Sequence, residues 1–190
     1  MNIEYFEDKT FEKIDFTKMR IRLWNYEKCK FIRCNFSETD LSKIHFSECK
    51  FIGCNMSMVK LIWTELIDIV FIDCKLLWLA FENCSKFLCS FSFENCLLNL
   101  ASFRWLKIKK TIFKDCNIQE VSFSQADISG SIFDNCDLSR SIFERTILEK
   151  VNFVTSYSYT LDPEINTIKN AKFSINWVTG LLQKYDITII

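Results

Sequence analysis

Several residue types that enzymes and membrane proteins rely on are scarce in this chain of 190 residues. With three glycines it has no glycine-rich loop to hold a phosphate, and its single histidine, His45, is the one candidate imidazole base. No stretch approaches the roughly 20 apolar residues of a membrane-spanning helix. These shortages argue against an enzyme, and we predict a non-enzymatic protein with no metal or cofactor.

An excess of charge of either sign is also absent. The 24 basic and 24 acidic residues give a formal net charge of zero, which supports neither direct nucleic-acid binding through bulk positive charge nor a uniformly acidic protein. The first nine residues hold neither the basic start nor the apolar run of a secretory signal. We therefore expect a cytoplasmic protein with reduced thiols and no membrane contact.

What the chain has in excess is phenylalanine, with 19 residues, and large apolar residues recur at a fixed interval of five. They occupy every fifth position from Phe6 to Phe81, sixteen in all, and the fourteen such positions from Leu88 to Phe153. A helix repeats apolar residues every three or four positions and a strand every two, so neither explains this period. A chain that turns after each five residues must coil, with turns about 4.8 Å apart. The sequence therefore predicts an all-β solenoid.

The ten cysteines follow the same period. Eight of them lie two residues before a central apolar residue: Cys29, Cys34, Cys49, Cys54, Cys74, Cys96, Cys116 and Cys136. Most other residues at this place are small or compact, so the position points inward and a free thiol serves there as packing. Parallel stacked thiols cannot converge on zinc or bridge one another, which predicts structural thiols in two columns, one ending at Cys74 and the other beginning at Cys96.

Individual blocks resemble the repeats of the pentapeptide-repeat proteins. Residues 34–38 read CNFSE, 39–43 read TDLSK and 136–140 read CDLSR, close to the family pattern of Ala or Cys, Asp or Asn, and Leu or Phe before two variable residues. The resemblance covers residues 6–153 and implies a right-handed quadrilateral β-helix with four repeats per coil. Residues twenty apart then stack, and we expect two interior columns: Phe11, Phe31, Phe51 and Phe71 in one, and Phe113, Phe133 and Phe153 in the other.

The period is interrupted first between Phe81 and Leu88, which are seven residues apart. The register therefore changes within 82–97, and keeping the first register would place Lys86 at a buried centre, which is costly without a partner. We expect a local bulge near residues 84–92. This bulge is either a partner contact or a tolerated defect at one corner.

A second interruption, residues 154–167, follows the last regular repeat. It contains two tyrosines that we expect to be exposed, Tyr157 and Tyr159, and a turn at Asp162-Pro163. The period then resumes for one partial coil. The predicted organisation is a β-helix over residues 1–173, followed by a short helix and strand over 174–190.

The C-terminal unit predicts an amphipathic helix. Four apolar residues have helical spacing, Val178, Leu181, Leu182 and Tyr185, with Asn176 as a cap, and Ile187 and Ile189 then alternate like a strand. Such a unit either covers the open end of the solenoid or joins two copies. Segments 161–166 and 180–187 resemble the ending of the Qnr-type quinolone-resistance members, in which this helix joins two rods. The resemblance implies a homodimer through Val178, Leu181, Leu182, Tyr185 and Ile187.

Two further surfaces are candidates for contact. Apolar side chains at outward positions, together with Lys86 at the change of register, predict a partner surface, which comprises Ile32, Ile52, Ile72, Met58, Trp63, Trp78 and Lys86. An acidic surface follows a basic stretch at 104–114 and comprises Asp115, Glu120, Asp127, Asp134, Asp137, Glu144 and Glu149. These acids are expected to spread over several faces.

The resemblance to the Qnr group implies a protein that binds DNA gyrase or topoisomerase IV and protects it from quinolone-type antibiotics. The mechanism proposed for the family is DNA mimicry, in which a rod with a negative surface occupies the DNA-binding site. The alternative is an interaction scaffold or a toxin-immunity factor that binds a different partner through its apolar and charged faces.

Overall fold

The computed structural model describes residues 5–19, 21, 25–85 and 89–188. In these residues the chain winds into a β-solenoid of about eight turns, in which every paired strand is parallel to its neighbour. Each coil turns at four corners, so the solenoid is a four-sided rod. Within the described residues, no helix is both long and apolar enough to cross a membrane.

We name the four faces A to D in the order in which each coil forms them. Face A begins with strands β1 Tyr5–Glu7, β3 Asn25–Glu27, β5 His45–Ser47 and β7 Glu65–Ile67. Face B contains β2 Thr10–Glu12, β4 Lys30–Ile32, β6 Lys50–Ile52, β8 Ile69–Ile72, β9 Phe91–Glu94, β10 Ile112–Lys114, β11 Ile132–Asp134, β12 Asn152–Phe153 and β13 Lys172–Phe173.

Faces C and D consist of single bridged residues instead of strands. Face C runs through Asp15, Asn35, Asn55, Lys75, Leu97, Asn117, Asp137 and Tyr157. Face D includes Asp40 bridged to Lys60, then Ala80, Ser102, Ser122 and Ile142. A 3-10 turn, Phe81–Asn83, replaces the straight segment of face D in one coil.

The register between coils is twenty residues until one step of twenty-two. Phe51 pairs with Phe71, but Phe71 pairs with Phe93. The Ser85 amide donates to the carbonyl oxygen of Thr64, which fits the register before the change. The Ser90 hydroxyl donates to the Asp68 carboxylate, twenty-two residues earlier, which fits the register after it. The two extra residues therefore enter between Ser85 and Ser90. Of this segment, residues 86–88, including the predicted Lys86 and Leu88, lie outside the described part of the chain.

Stacked phenylalanine rings fill the interior. On face B nine rings form one column with centroid separations of 4.7 to 5.6 Å: Phe11, Phe31, Phe51, Phe71, Phe93, Phe113, Phe133, Phe153 and Phe173. The prediction of two separate columns is wrong. Because the inserted residues are confined to one corner, Phe93 stacks on Phe71 at 5.2 Å and the column continues.

A second column, on face D, meets the first at right angles. It contains Phe81, Phe103, Phe123 and Phe143, with centroids 4.5 to 5.3 Å apart. Rings of the two columns contact edge to face, as Phe93 and Phe103 do at 5.9 Å and 77°. Both offset stacking and edge-to-face contact are favourable for aromatic rings, so the geometry adds to the burial of apolar area.

The inward small residues do more than fill space. The thiol of Cys74 donates to the carbonyl oxygen of Phe51 at 3.2 Å, and Cys96 donates to that of Phe71 at 3.5 Å. Where a hydroxyl occupies the same position it does likewise, as Thr146 does with Phe123 at 2.9 Å. The cysteines on either side of the register change thus form one continuous column and not the predicted two: Cys34, Cys54, Cys74, Cys96, Cys116 and Cys136. Cys29 and Cys49 lie in a separate place, where they donate to the carbonyl oxygens of Phe6 and Tyr26. Burial raises the pKa of Cys49 to about 12, so its thiol is a hydrogen-bond donor and not a nucleophile.

The C-terminal unit differs from the predicted amphipathic α-helix. It consists of two 3-10 segments, Ile175–Leu181 and Gln183–Tyr185. Ser174, and not Asn176, caps the first segment by accepting a hydrogen bond from the Asn176 amide. Ile187 lies outside any strand, and Ile189 falls beyond the described residues.

Tyr159 explains how this unit is anchored, and the prediction that it is exposed is wrong. Its ring is 1% exposed and lies 5.5 Å from that of Phe153. Its hydroxyl accepts a hydrogen bond from the Ser174 amide at 3.0 Å. The tyrosine therefore packs beside the last two rings of the column, Phe153 and Phe173, and positions the residue that caps the 3-10 segment.

Phe93 stacks on Phe71 before the register change and on Phe113 after it, so its removal should destabilise both halves of the rod. We expect Phe93→Ala to lower the free energy of unfolding by about 3–5 kcal/mol, because it leaves a cavity among five rings. The measurement is urea unfolding followed by circular dichroism. Ile112→Ala, at a 46% exposed position of the next strand, is the matched control and should cost less than about 1 kcal/mol. Equal losses for the two variants would contradict this account.

Candidate interaction surfaces

The corners of the rod place one residue of each repeat in the left-handed backbone conformation. This residue lies two positions after the central residue, and φ is near +50° to +70° at almost every such position, as at Asn95 and Asn135. Glycine occupies the site only at Gly53 and Gly130. Asn, Asp and Gly tolerate this conformation, whereas bulky residues are unfavourable in it. A bulky side chain at a corner therefore requires an explanation.

Three tryptophans occupy such corners, and all three border face D. Trp63 and Trp105 lie at the corner that follows face D, and Trp78 lies at the corner that precedes it, with φ of 58° to 60°. Trp63 is 69% exposed and Trp78 is 60% exposed. Met58 and Ile62 lie in the same coil as Trp63 and widen this surface. We call these five residues, Met58, Ile62, Trp63, Trp78 and Trp105, the aromatic face.

The structure divides the partner surface proposed from the sequence. Ile32, Ile52 and Ile72 stack in register on face B, where they are half-buried. Faces B and D are opposite sides of the rod, so the isoleucines and the tryptophans cannot contact one flat partner together. Sequence reasoning missed Trp105, although it follows Phe103 by two positions, just as Trp63 follows Leu61.

Polar atoms without partners collect on the same face. Three buried side-chain oxygens have no hydrogen-bond partner among the described residues: Ser42 Oγ, Glu82 Oε2 and Ser102 Oγ, all on face D. Next to them, the Arg104 guanidinium lies 4.6 Å above the ring of Trp105. Buried polar groups are normally paired, so this face has unused hydrogen-bonding capacity beside its apolar surface.

The acidic residues do not form a single surface. They are divided among all four faces. Asp127 and Glu149 lie on face A, Asp134 on face B, Asp137 on face C and Glu144 on face D, while Asp115 and Glu120 lie at the corners that follow faces B and C. Asp127 pairs with Lys109 at 3.0 Å and Glu120 with Arg140 at 2.7 Å. Partial burial opposes ionisation of Asp127, but hydrogen bonds from Ser129 and Lys109 lower its pKa.

His45 is the single histidine of the chain and its one candidate imidazole base. Its Nδ1 contacts the Glu65 carboxylate in the next coil of face A, so the side chain is paired and not simply solvated. Across the described ranges, no group of three or more His, Cys, Asp or Glu side chains is arranged to hold a metal ion.

The C-terminal unit docks on the last coil through close contacts. A Cβ at Gly180 would lie 2.0 Å from the carbonyl oxygen of Tyr159, so only glycine fits there. Lys184 pairs with Asp162 at 2.7 Å and with Glu164 at 2.5 Å. Desolvation opposes the charge on Lys184, yet its hydrogen bonds to these carboxylates raise its pKa. The two segments that resemble the Qnr-type ending are thus joined in one unit.

Apolar residues remain exposed on the outer side of this unit. Ile175 is 84% exposed and Ile187 is 57% exposed, and a groove of about 600 Å³ is lined in part by Trp177, Leu182 and Ile187. By contrast, Leu181 packs against the chain's own core, and the Tyr185 hydroxyl donates to Glu164 at 2.7 Å. Of the residues predicted at a dimer contact, Leu181 therefore faces inward.

One known protein family matches most of this chain. The family model described as pentapeptide repeat region matches residues 24–91 and 86–158. Among solved structures, a trypsin-treated variant of QnrB1, a plasmid-mediated fluoroquinolone resistance protein, aligns with a TM-score of 0.49 and 20% identity over 98% of this chain and 97% of that chain. HetL, a pentapeptide repeat protein involved in heterocyst differentiation regulation from the cyanobacterium Nostoc sp., aligns with a TM-score of 0.36 and 18% identity over 90% and 85%. No curated protein sequence matches.

The corner tryptophans lead to a prediction about stability. Because Asn tolerates the left-handed conformation better than Ala, Trp63→Asn should unfold with a free energy about 1 kcal/mol higher than Trp63→Ala. Both substitutions remove the same exposed ring, so the difference isolates the backbone. Urea unfolding of the two variants is the measurement, and a Trp63→Asn variant no more stable than Trp63→Ala would show that the corner is not what disfavours tryptophan.

Proposed function

The chain belongs to the pentapeptide-repeat family, and from its aromatic face and its docked C-terminal unit we propose that it is a non-catalytic rod that binds other proteins. The interior is filled by ring columns, which leaves the outer faces to carry function. Exposed aromatic residues in an unfavourable backbone conformation contribute little to the fold, since they neither pack in the core nor suit their corners. Their presence supports a contact surface.

The partner we propose is DNA gyrase or topoisomerase IV, which the protein would protect from quinolone-type inhibitors. The observation that carries this proposal is the C-terminal unit. Its two segments, 161–166 and 180–187, resemble the Qnr-type ending, and Lys184 joins them through Asp162 and Glu164. The residues that carry the resemblance are thus the ones that hold the unit on the rod.

The distribution of charge favours contact over mimicry of DNA. A DNA mimic needs a row of unpaired acids along one side, spaced like phosphates. Here the acids are divided among four faces, and Asp127 and Glu120 are paired with basic side chains. We therefore propose that the aromatic face, and not a negative surface, makes the contact with the topoisomerase.

An interaction scaffold or toxin-immunity factor is the second candidate function. Arg104 on face D and Lys107 on the neighbouring face A flank Trp105, and a surface that imitates DNA would not present such cations. This arrangement favours a partner other than the DNA-binding site of a topoisomerase. The two candidates share the same surface and differ in what binds it.

We also propose a homodimer through the C-terminal units. Ile175, Trp177 and Ile187 are exposed on this unit, Trp177 and Ile187 line the groove of about 600 Å³, and a second copy would cover them. Val178, Leu182 and Tyr185 lie on the same unit and remain candidates for this contact. Leu181 supports the interface from beneath, because it packs the unit onto the rod.

The dimer can be tested with one charged substitution. The purified protein should have twice the chain mass of 22.6 kDa in light scattering, and Ile175→Asp should shift it to the monomer mass, because a carboxylate cannot be buried unpaired in an apolar contact. Ile112→Asp, the same substitution at an exposed site on face B, is the control and should leave the dimer intact. A monomeric wild-type protein would contradict the proposal.

Protection of the enzyme is tested by gyrase supercoiling with and without ciprofloxacin. We expect the protein to bind gyrase and to raise the drug concentration that halves supercoiling. The double variant Trp63→Asn, Trp105→Asn should lose this effect, whereas Lys50→Glu on face B should retain it, because Lys50 lies on the opposite side of the rod. If the wild-type protein neither binds gyrase nor shifts the inhibition, the topoisomerase proposal fails and the scaffold or immunity function takes its place.

A further inference from the structure

We propose that Cys89 and Cys84 form a site of reversible thiol oxidation, in which Cys89 reacts with a small disulfide and Cys84 completes a disulfide bond within the chain. They are the two cysteines that belong to neither group of stacked thiols in the interior. The inference goes beyond the proposed function, since it concerns the chain alone and needs no partner protein.

Cys89 differs from every other cysteine of the chain in its exposure. Nine of the ten cysteines are buried, and Cys89 alone is partly exposed. Oxidation selects the cysteines that solvent can reach, so a reagent attacks Cys89 while stacked thiols such as Cys74, 1% exposed, stay protected. Cys84 is 3% exposed and is therefore not the first target.

The Cys89 side chain points back toward Cys84. Its thiol donates a hydrogen bond to the carbonyl oxygen of Ser85, the residue that follows Cys84, at 2.8 Å. The Cys89 sulfur therefore lies at the backbone next to Cys84. Residues 86–88 are not part of the site.

Backbone hydrogen bonds hold both ends of this interval on the preceding coil. The Ser85 amide donates to the carbonyl oxygen of Thr64 at 2.9 Å, and the Ser90 amide donates to that of Leu66 at 3.1 Å. Thr64 and Leu66 are two residues apart at the start of a strand, which corresponds to about 7 Å. A disulfide joins Cα atoms up to about 7 Å apart, so the two cysteines are held within reach of one another.

The two thiols differ in how readily they lose a proton. A hydrogen bond from Cys84 lowers the pKa of Cys89, although partial burial opposes this effect. The same hydrogen bond and burial raise the pKa of Cys84. Cys89 is thus the thiol that ionises first and acts as the nucleophile, and Cys84 keeps its proton until the adduct has formed.

The reagent belongs to the class of small, mobile disulfides, of which oxidised glutathione is the probe. The Cys89 thiolate attacks one of its sulfur atoms, the S–S bond of the reagent breaks, and one half leaves as a thiolate that takes up the proton lost by Cys89. Cys84 then attacks the Cys89 sulfur, and the second half leaves with the proton of Cys84. Two protein thiols are oxidised to one disulfide, and one small disulfide is reduced to two thiols.

The experiment incubates the reduced full chain with oxidised glutathione and locates the products by peptide mass mapping. We expect a bond between Cys84 and Cys89 that dithiothreitol reverses. Cys84→Ser should stop at the first step and carry one glutathione on Cys89, because no second thiol displaces it. Cys89→Ser should react about tenfold more slowly or not at all.

Cys49→Ser is the matched control. It removes a buried thiol, and a hydroxyl serves at such inward positions elsewhere, as at Thr146, so the variant should fold and form the bond between Cys84 and Cys89 at the wild-type rate. Cys84 occupies the place that Thr64 holds in the preceding coil, so serine suits that position as well. Circular dichroism of each variant checks the fold.

Three results would overturn the inference. They are no reaction of the folded wild-type protein, glutathione that stays on Cys89 of the wild-type protein, and reaction of the stacked thiols at the rate of Cys89. Loss of the bond in the Cys49→Ser control would also count against it, because that thiol takes no part in the site.

Discussion

The structure depends on the near equality of two distances, the spacing between parallel strands and the spacing between stacked aromatic rings. Parallel strands lie about 4.8 Å apart, and stacked aromatic rings are favourable at nearly the same separation. A residue that repeats once per coil can therefore form a backbone ladder and a ring column together, as Phe113 and Phe133 do at 4.7 Å. Any lasting change in coil length would separate the two. This is why the extra residues near Ser85 stay in one corner and Phe93 returns to the column.

The corners follow from this constraint. A coil of fixed length must turn after each repeat, and the left-handed conformation at one residue makes the turn. With so few glycines, the chain uses polar residues at most corners, and these point into solvent. Because the interior leaves the corners no packing role, the residue type there is free to vary with function. Trp63, Trp78 and Trp105 are informative for this reason.

The sequence was sufficient to predict which residues face inward, because the period of five is set by the core. It could not predict how the two registers join, since Leu88 fixes the phase of the second series but not the site of the insertion. The sequence pattern also predicted only a packing role for Cys74. The hydrogen bond that its thiol donates goes to the carbonyl oxygen of Phe51 in another coil, and a repeat pattern does not show contacts between backbone atoms of different coils. Residues with the same place in the repeat, such as Ile52 and Ile62, were separated only when the face of each repeat was known.

The net charge of zero is a sum over four faces that carry different charges. In a rod, a partner contacts one side, so the charges on the other sides affect it only within the screening length of about 8–10 Å. On faces A and C, Asp127 and Glu120 are paired within the rod, and on face D the Arg104 guanidinium lies over the ring of Trp105. The side that carries the aromatic face is therefore mainly apolar, with charges of both signs beside the rings. A neutral total conceals these differences between faces, and a partner meets one face and not the whole chain.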